Sequence, residues 1–189
     1  PRPCRVGSAV AELAVFGMEE LLSVMPPRIQ AYRPADPEAE ESGTRKSAGT
    51  FLPHISLFRK RKMKTILIVN PKAGRRFFLN LHLPQVIKLL ERHEVSFRVF
   101  YTRYSGHAAK LVEHYRGEID CVIVFGGDGT VREVVKGMGA EPLPIGIIPF
   151  GTVNVLALDL GISLNPVIAT TCILAGHTRR IDVGCLNDE

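Results

Sequence analysis

The stretch GGDGTVRE, Gly126 to Glu133, sets three glycines, an acid and a hydroxyl directly after an apolar run and directly before a helical pattern. Gly126, Gly127 and Gly129 remove side chains where the backbone turns, so main-chain amides can approach an anion closely and take positive φ where needed. Thr130 is placed to cap the following helix, and its hydroxyl together with the helix amino end suits phosphate oxygens. A carboxylate at Asp128 repels phosphate unless it meets a cation or a hydroxyl. Its simplest roles are contact with magnesium, directly or through water, or orientation of another polar group. A tight strand-to-helix turn with Asp128 as an ordinary turn residue would show the same local pattern. Neither GxxxxGK(S/T) nor an opening GxGxxG is present, so the chemistry indicated is phosphate binding without a Walker or dinucleotide mechanism.

Alternating elements must position these residues. TILIVN (65–70) is a continuous β-branched apolar run, as expected of a strand covered on both faces. LHLPQVIKLLERH (81–93) places Val86, Leu89 and Leu90 at helical spacing, and VSFRVFYT (95–102) reads as a second strand. GHAAKLVEHYR (106–116) is helical, DCVIVF (120–125) a third strand, VREVVKGM (131–138) a helix and LPIGIIP (143–149) a fourth strand. Two helices follow, TVNVLALDL (152–160) and PVIATTCILA (166–175). The second has Asn165 as cap, Pro166 at its first position and Gly176 past its end. RRIDVG (179–184) closes the pattern as a short strand.

Strands alternating with helices predict crossovers, hence an α/β fold with an open, mostly parallel sheet and helices on both faces. Ligands in such sheets bind beyond the carboxyl ends of the strands. The loops NPKAG, YTRYSGHA, GGDGT and PFGT all leave such ends and should open on one edge.

Residues 1–62 read differently. SAVAELAVFGMEELLSVM (8–25) suits one amphipathic helix, whereas PPRIQAYRPADPEAEESGTRKSAG (26–49) has the proline, charge and small residues of a mobile linker. Met63 stands just before the first convincing strand. The expected organisation is therefore an extension over 1–62 and an α/β domain over 63–189.

The 189 residues carry a formal charge of +5, with 46% apolar and 23% charged residues, the balance of a globular protein. Residues 1–62 hold 10 Lys plus Arg against 7 acids, leaving 14 against 12 for the remainder. The charge is thus unevenly divided, with a net +3 on residues 1–62 and +2 on the rest, and gives nucleic-acid binding little support. Four cysteines without CxxC or ligand-like pairing to histidine fit a reducing cytosol. No apolar run has the length of a membrane-spanning helix.

In order and spacing, LIVNPKAG, YTRYSGHAAKLVEH, VFGGDGTVREVVKGM and PLPIGIIPFGTVNVLALDLGI resemble the amino-terminal half of the diacylglycerol kinase catalytic domain. That family includes sphingosine kinases and bacterial soluble lipid kinases. GGDGT alone is shared with NAD kinases and 6-phosphofructokinases, whose nucleotide domain has the expected fold; the PxGTxN element, Pro149 to Asn154, points to the lipid kinases.

The resemblance implies an ATP-dependent lipid kinase working with Mg2+ on a lipid substrate at a membrane surface. It implies that Asn70, Pro71, Lys72, Ala73 and Gly74 lie near the nucleotide, with Lys72 reaching phosphate, and that Thr102 and Thr152 contact ATP. Gly126, Gly127, Asp128, Gly129, Thr130, Val131 and Arg132 would wrap the phosphates. Glu133 matches a family glutamate, and Asn154 is structural support. Phe150 and Val153 stand where many relatives have a leucine and a small residue. Relatives continue into a β-rich second domain that supplies the general base, metal-holding acids and much of the lipid site, so no catalytic base is assigned here. An NAD kinase-like enzyme and a catalytically inactive truncated nucleotide-binding domain are the competing readings. With no anchor motif, the implied location is cytoplasmic, with reversible peripheral contact at the bilayer.

Overall fold

A computed structural model describes residues 9–14, 63–74, 76–139 and 142–183. In chain order the elements are β1 (Ala9–Ala14), β2 (Lys64–Val69), α1 (Arg76–Arg92), β3 (Ser96–Tyr101), α2 (His107–Tyr115) and β4 (Cys121–Gly126). They continue with α3 (Asp128–Met138), β5 (Ile145–Pro149), α4 (Val155–Asp159), α5 (Pro166–Ala175) and β6 (Arg179–Val183).

The sheet is open and six-stranded, in the order β3-β2-β4-β5-β1-β6. β2 pairs in parallel with both β3 and β4, β4 with β5, and β5 with β1; β6 alone runs antiparallel, against β1. The α/β class and the mostly parallel sheet are as expected.

Strand alternation divides the core into two layers. Ile66, Ile68, Val122, Val124 and Ile147 face α2 and α3, meeting Val112, Val131, Val134 and Met138. Leu67, Val69, Ile123, Phe125 and Ile148 face the other way, against Leu79, Leu83, Val86 and Leu90 of α1 and Ile173 of α5. Helices thus cover both faces, which is why the central strands are apolar throughout.

Three expectations about element bounds are corrected. α1 begins at Arg76, ahead of the expected Leu81, and carries Pro84 in its interior. Leu79 and Leu83 extend the buried stripe of Val86 and Leu90 by two turns, and that burial outweighs the backbone bond proline cannot make. α4 begins at Val155, later than Thr152, because Asn154 holds φ 55° and ψ 49°, a left-handed conformation in which a right-handed helix cannot run. In the stretch expected to be helical over 8–25, residues 9–14 form β1. Its backbone satisfies the edge of β5 at Leu13↔Ile145 and Ala14↔Gly146 and meets β6 from Ala9↔Val183 to Leu13↔Arg179. Pairing between strands overrides local helical patterning here. The remainder of that stretch, the linker expected over 26–49 and the rest of the extension lie outside the described residues.

Two cysteines are built into this core. Burial pushes the Cys121 thiol from 9.0 up to about 12, with a hydrogen bond from the Gly146 backbone opposing and the charge of Asp120 adding. Burial alone pushes Cys172 from 9.0 up to about 11. A raised folded-state pKa stabilises the native form fully below pH 9; the benefit is lost as pH climbs towards 11–12. Because the thiolate is the nucleophile, iodoacetamide at pH 8.5 should leave both unmodified in the native chain and label both in denaturant, as read by peptide mass mapping. Labelling of Cys121 without denaturant would contradict this packing.

Candidate functional site

The carboxyl ends of β3, β2, β4 and β5 are held level by main-chain hydrogen bonds that run one residue past the sheet. Asn70 N–H donates to Phe125 O at 2.9 Å, Thr102 N–H to Val69 O at 2.9 Å, and Phe150 N–H to Gly126 O at 2.8 Å. Each strand therefore releases its loop at the same edge, as a parallel sheet with crossovers requires.

Side chains then tie the loops to one another. Asn70 accepts the Lys72 N–H on Oδ1 at 3.0 Å, an Asx-turn, and its Nδ2 donates to Thr130 Oγ1 at 2.9 Å. In the PFGT loop, Asn154 grips Gly151 from both sides. Gly151 N–H donates to Asn154 Oδ1 at 2.7 Å, and Asn154 Nδ2 donates to Gly151 O at 2.9 Å. Gly151 in turn lies against the GGDGT turn, where a β-carbon on it would come within 2.7 Å of Gly127 Cα. The expectation that Asn154 is structural support agrees with this geometry.

α3 starts directly at the glycine turn. Gly127 is its N-cap, with no side-chain cap, and Gly127 O accepts the N–H of Thr130 at 2.9 Å and of Val131 at 3.2 Å. The remaining first-turn amides, those of Asp128 and Gly129, have no intrahelical acceptor. Together with the helix dipole they form an anion-binding end.

Thr130 is corrected as the cap: it is buried, and its hydroxyl receives the Asn70 amide. Local sequence places it near the helix start, but Asn70, sixty positions earlier in the chain, takes up its side chain.

Both acids at this edge serve as caps for neighbouring helices. The Asp128 carboxylate accepts the N–H of Val155 at 3.0 Å and of Leu156 at 3.1 Å, fixing the start of α4. Of the two roles expected for it, orientation of another polar group is the one these bonds display. Glu133, reaching from α3, accepts the N–H of Gly106 at 2.7 Å and of Ala108 at 3.2 Å, and so caps α2.

The loops enclose a cavity of about 610 Å³, within the roughly 300–1,000 Å³ common for small-molecule sites. Lining it are Asn70, Lys72, Ala73 and Thr102 from the first two loops, Gly127, Asp128, Gly129 and Thr130 from the third, Arg132 and Glu133 from α3, and Thr152 from the fourth. Pro71, Gly74, Gly126 and Val131 do not line it. Val131 is in the core beneath, and Gly74 packs against Phe150 so closely that a β-carbon would sit 2.6 Å from its carbonyl oxygen.

Arg103, Tyr104, Ser105 and Gly151 also line the cavity and escaped the sequence reading. Their only sequence signal is membership of the TRYSG and PFGT loops; nothing in residue spacing tells which loop side chains turn inward. Lys72, Arg103 and Arg132 bring three cations to the cavity with no ion pair among the described residues, while both acids are engaged by N–H groups. The local field therefore favours a polyanion.

Among the described residues no group of three or more His, Cys, Asp or Glu is placed to hold a metal ion. Magnesium commonly takes one or two protein carboxylates and completes its shell with water and substrate phosphate. Asp128, whose oxygens each retain capacity beyond one N–H, fits an ion arriving with a phosphorylated ligand and does not amount to a resident cage.

Known proteins are similar to this chain. A diacylglycerol kinase of Bacillus subtilis strain 168 is 37% identical over 131 residues, covering 65% of this chain and 42% of its own length. One from Staphylococcus haemolyticus is 34% identical over 126 residues, covering 65% and 38%. The crystal structure of a diacylglycerol kinase from Bacillus anthracis str. Sterne superposes with a TM-score of 0.53 at 35% identity, over 62% of this chain and 44% of that one. The chain thus spans about two fifths of the length of these relatives. The family model of the diacylglycerol kinase catalytic domain covers residues 64–186, a span that includes the strands and loops that build the cavity, and the chain belongs to that family.

Proposed function

We propose that this chain is the nucleotide-binding part of an ATP-dependent lipid kinase that transfers the γ-phosphoryl group to a hydroxyl of a diacylglycerol-class lipid. One observation carries the reading. Loops from four separate strands converge on a single cavity that joins the free amides of α3 to Lys72, Arg103 and Arg132.

Phosphoryl transfer needs position and charge neutralisation more than a covalent nucleophile, and this edge offers donors and cations. In this reading the amides of Asp128 and Gly129 hold phosphate oxygens, and Lys72 and Arg132 neutralise them. Thr102 and Thr152, on opposite loops, fix the nucleotide between them. Mg2+, bound with ATP, would supply further neutralisation, with Asp128 as its one protein carboxylate. Pro71, Gly74, Gly126 and Val131 act in this reading as supports behind the cradle.

Asp128 and Glu133, the acids that line the cavity, each hold a helix start through N–H groups, a role that a proton on either carboxyl would weaken. We therefore assign the general base, and the lipid site, to the part of the relatives' length that this chain does not span, and the acceptor lipid to reversible contact with a bilayer surface. Residues 63–189 then form the nucleotide domain, with 1–62 as its extension.

The test is transfer of label from γ-labelled MgATP to diacylglycerol in mixed micelles by the full-length gene product. Labelled phosphatidate is expected. If no hydroxylated lipid accepts phosphate while NAD is phosphorylated instead, the reading fails.

A further inference from the structure

The geometry points to Tyr104 as the shelf on which the nucleotide base stacks, an affinity element of the cavity beyond its phosphate contacts. This inference deepens the proposed nucleotide reading and rests on it. Tyr104 lines the same cavity as the anion-binding end of α3, yet remains 52% exposed. A large aromatic left half-open at a cavity wall offers an apolar surface that water covers poorly.

The ring is also held unusually firmly for an exposed side chain. His107 stacks on it with centroids 4.7 Å apart and planes 27° apart, and the Lys110 ammonium lies 5.4 Å from its centroid. The imidazole is itself fixed, because its Nδ1 accepts the Arg103 N–H at 3.1 Å, while His107 N–H donates to Tyr104 O at 3.2 Å. Gly106, at φ +82°, supplies the bend that folds the loop back on itself. A ring immobilised before the ligand arrives has little side-chain freedom left to lose on binding.

The loop's attachment gives the shelf its meaning. Glu133 of α3 accepts the Gly106 and Ala108 N–H groups, so the Tyr104 turn is tied to the very helix whose first turn faces the cavity. Shelf and phosphate end thereby belong to one rigid piece, as a ligand with an anionic tail and a flat head requires. No other aromatic side chain lines this cavity among the described residues. Stacking tolerates any base, since every base has a π face; discrimination among bases is therefore weak and the gain is in affinity.

The experiment compares binding of MgATP and magnesium tripolyphosphate by calorimetry to the full chain, to Tyr104→Leu and to Tyr104→Phe. Tyr104→Leu should weaken MgATP about tenfold, while Tyr104→Phe binds as the parent does. Tripolyphosphate, which has no base, should bind all three alike. Unchanged MgATP affinity in Tyr104→Leu, with the parent binding well, overturns the shelf alone and leaves the nucleotide reading standing. Equal loss of both ligands in Tyr104→Leu makes the ring a structural prop and likewise overturns it. A parent that binds neither ligand removes the nucleotide reading, and the shelf with it.

Discussion

Gly129→Leu should cost MgATP about 100-fold in affinity while leaving the thermal midpoint at or slightly above that of the parent. The two halves of this expectation have separate causes. A β-carbon at Gly129 meets nothing within 4 Å, so the fold has room for a side chain there. In a helix interior leucine is better than glycine by about 0.8 kcal/mol, which favours the variant or leaves it neutral at this first-turn position. The room in question, however, is the cavity, which Gly129 lines in front of its own free amide and that of Asp128. A butyl group there displaces the oxygens those amides would bind, and two hydrogen bonds to a charged group, at about 1.5–3 kcal/mol each, convert to about 100-fold or more. Gly151→Ala is the contrasting control. Its β-carbon would lie 2.7 Å from both Gly127 Cα and Asn154 Oδ1, so it should destabilise the chain as well as weaken binding. Differential scanning calorimetry and a nucleotide titration on the two variants decide the matter. Unchanged MgATP affinity in Gly129→Leu would move the phosphates away from α3.

What could be read from the sequence depended on whether the cause was local. TILIVN and CVIVF are apolar on both faces because helices cover both faces, a burial that leaves its mark on every consecutive residue. The four loops were legible for the same reason: a strand end and a helix start fix where a loop begins, and parallel strands fix the edge. The carboxylates were not legible in the same way. Asp128 has the sequence of a turn or metal residue, and its partners are the amides of Val155 and Leu156, 27 and 28 positions onward. Glu133 follows the glycine motif and looks like part of it, whereas its bonds go back to Gly106 and Ala108. Thr130 fails as a cap for an equivalent reason, since Asn70 claims it from another loop. β1 is the extreme case: its residues pattern as a helix, and pairing with β5 on one side and β6 on the other gives them a reason to extend. Each of these contacts closes a long stretch of chain, and nothing in residue spacing records which loops meet.

Asn154, which also borders the cavity, is the residue whose loss should most disturb the edge. Its side chain is 8% exposed and satisfies both the N–H and the carbonyl of Gly151, while its backbone sits at φ 55°. Asn154→Ala removes both bonds, leaves the Gly151 amide without its acceptor, and places a residue poorly suited to the left-handed region there. The first effect is worth about 1–3 kcal/mol and the second about 1 kcal/mol, so a loss of roughly 2–4 kcal/mol is expected in urea unfolding. Asn154→Gly separates them: it restores backbone ease but not the clamp, and should recover about 1 kcal/mol relative to alanine. Asn154→Asp keeps the shape and the acceptor for the Gly151 N–H, but turns an oxygen towards the Gly151 carbonyl where a donor stood, so it should fall between parent and alanine. Because Gly151 rests on Gly127, loss of the clamp also frees the GGDGT turn. MgATP affinity should therefore decline in the order parent, Asp, Ala, in step with stability. An alanine variant as stable as the parent would mean that the PFGT loop is held by packing of Phe150 on Phe125, at 4.6 Å between centroids, and not by this side chain.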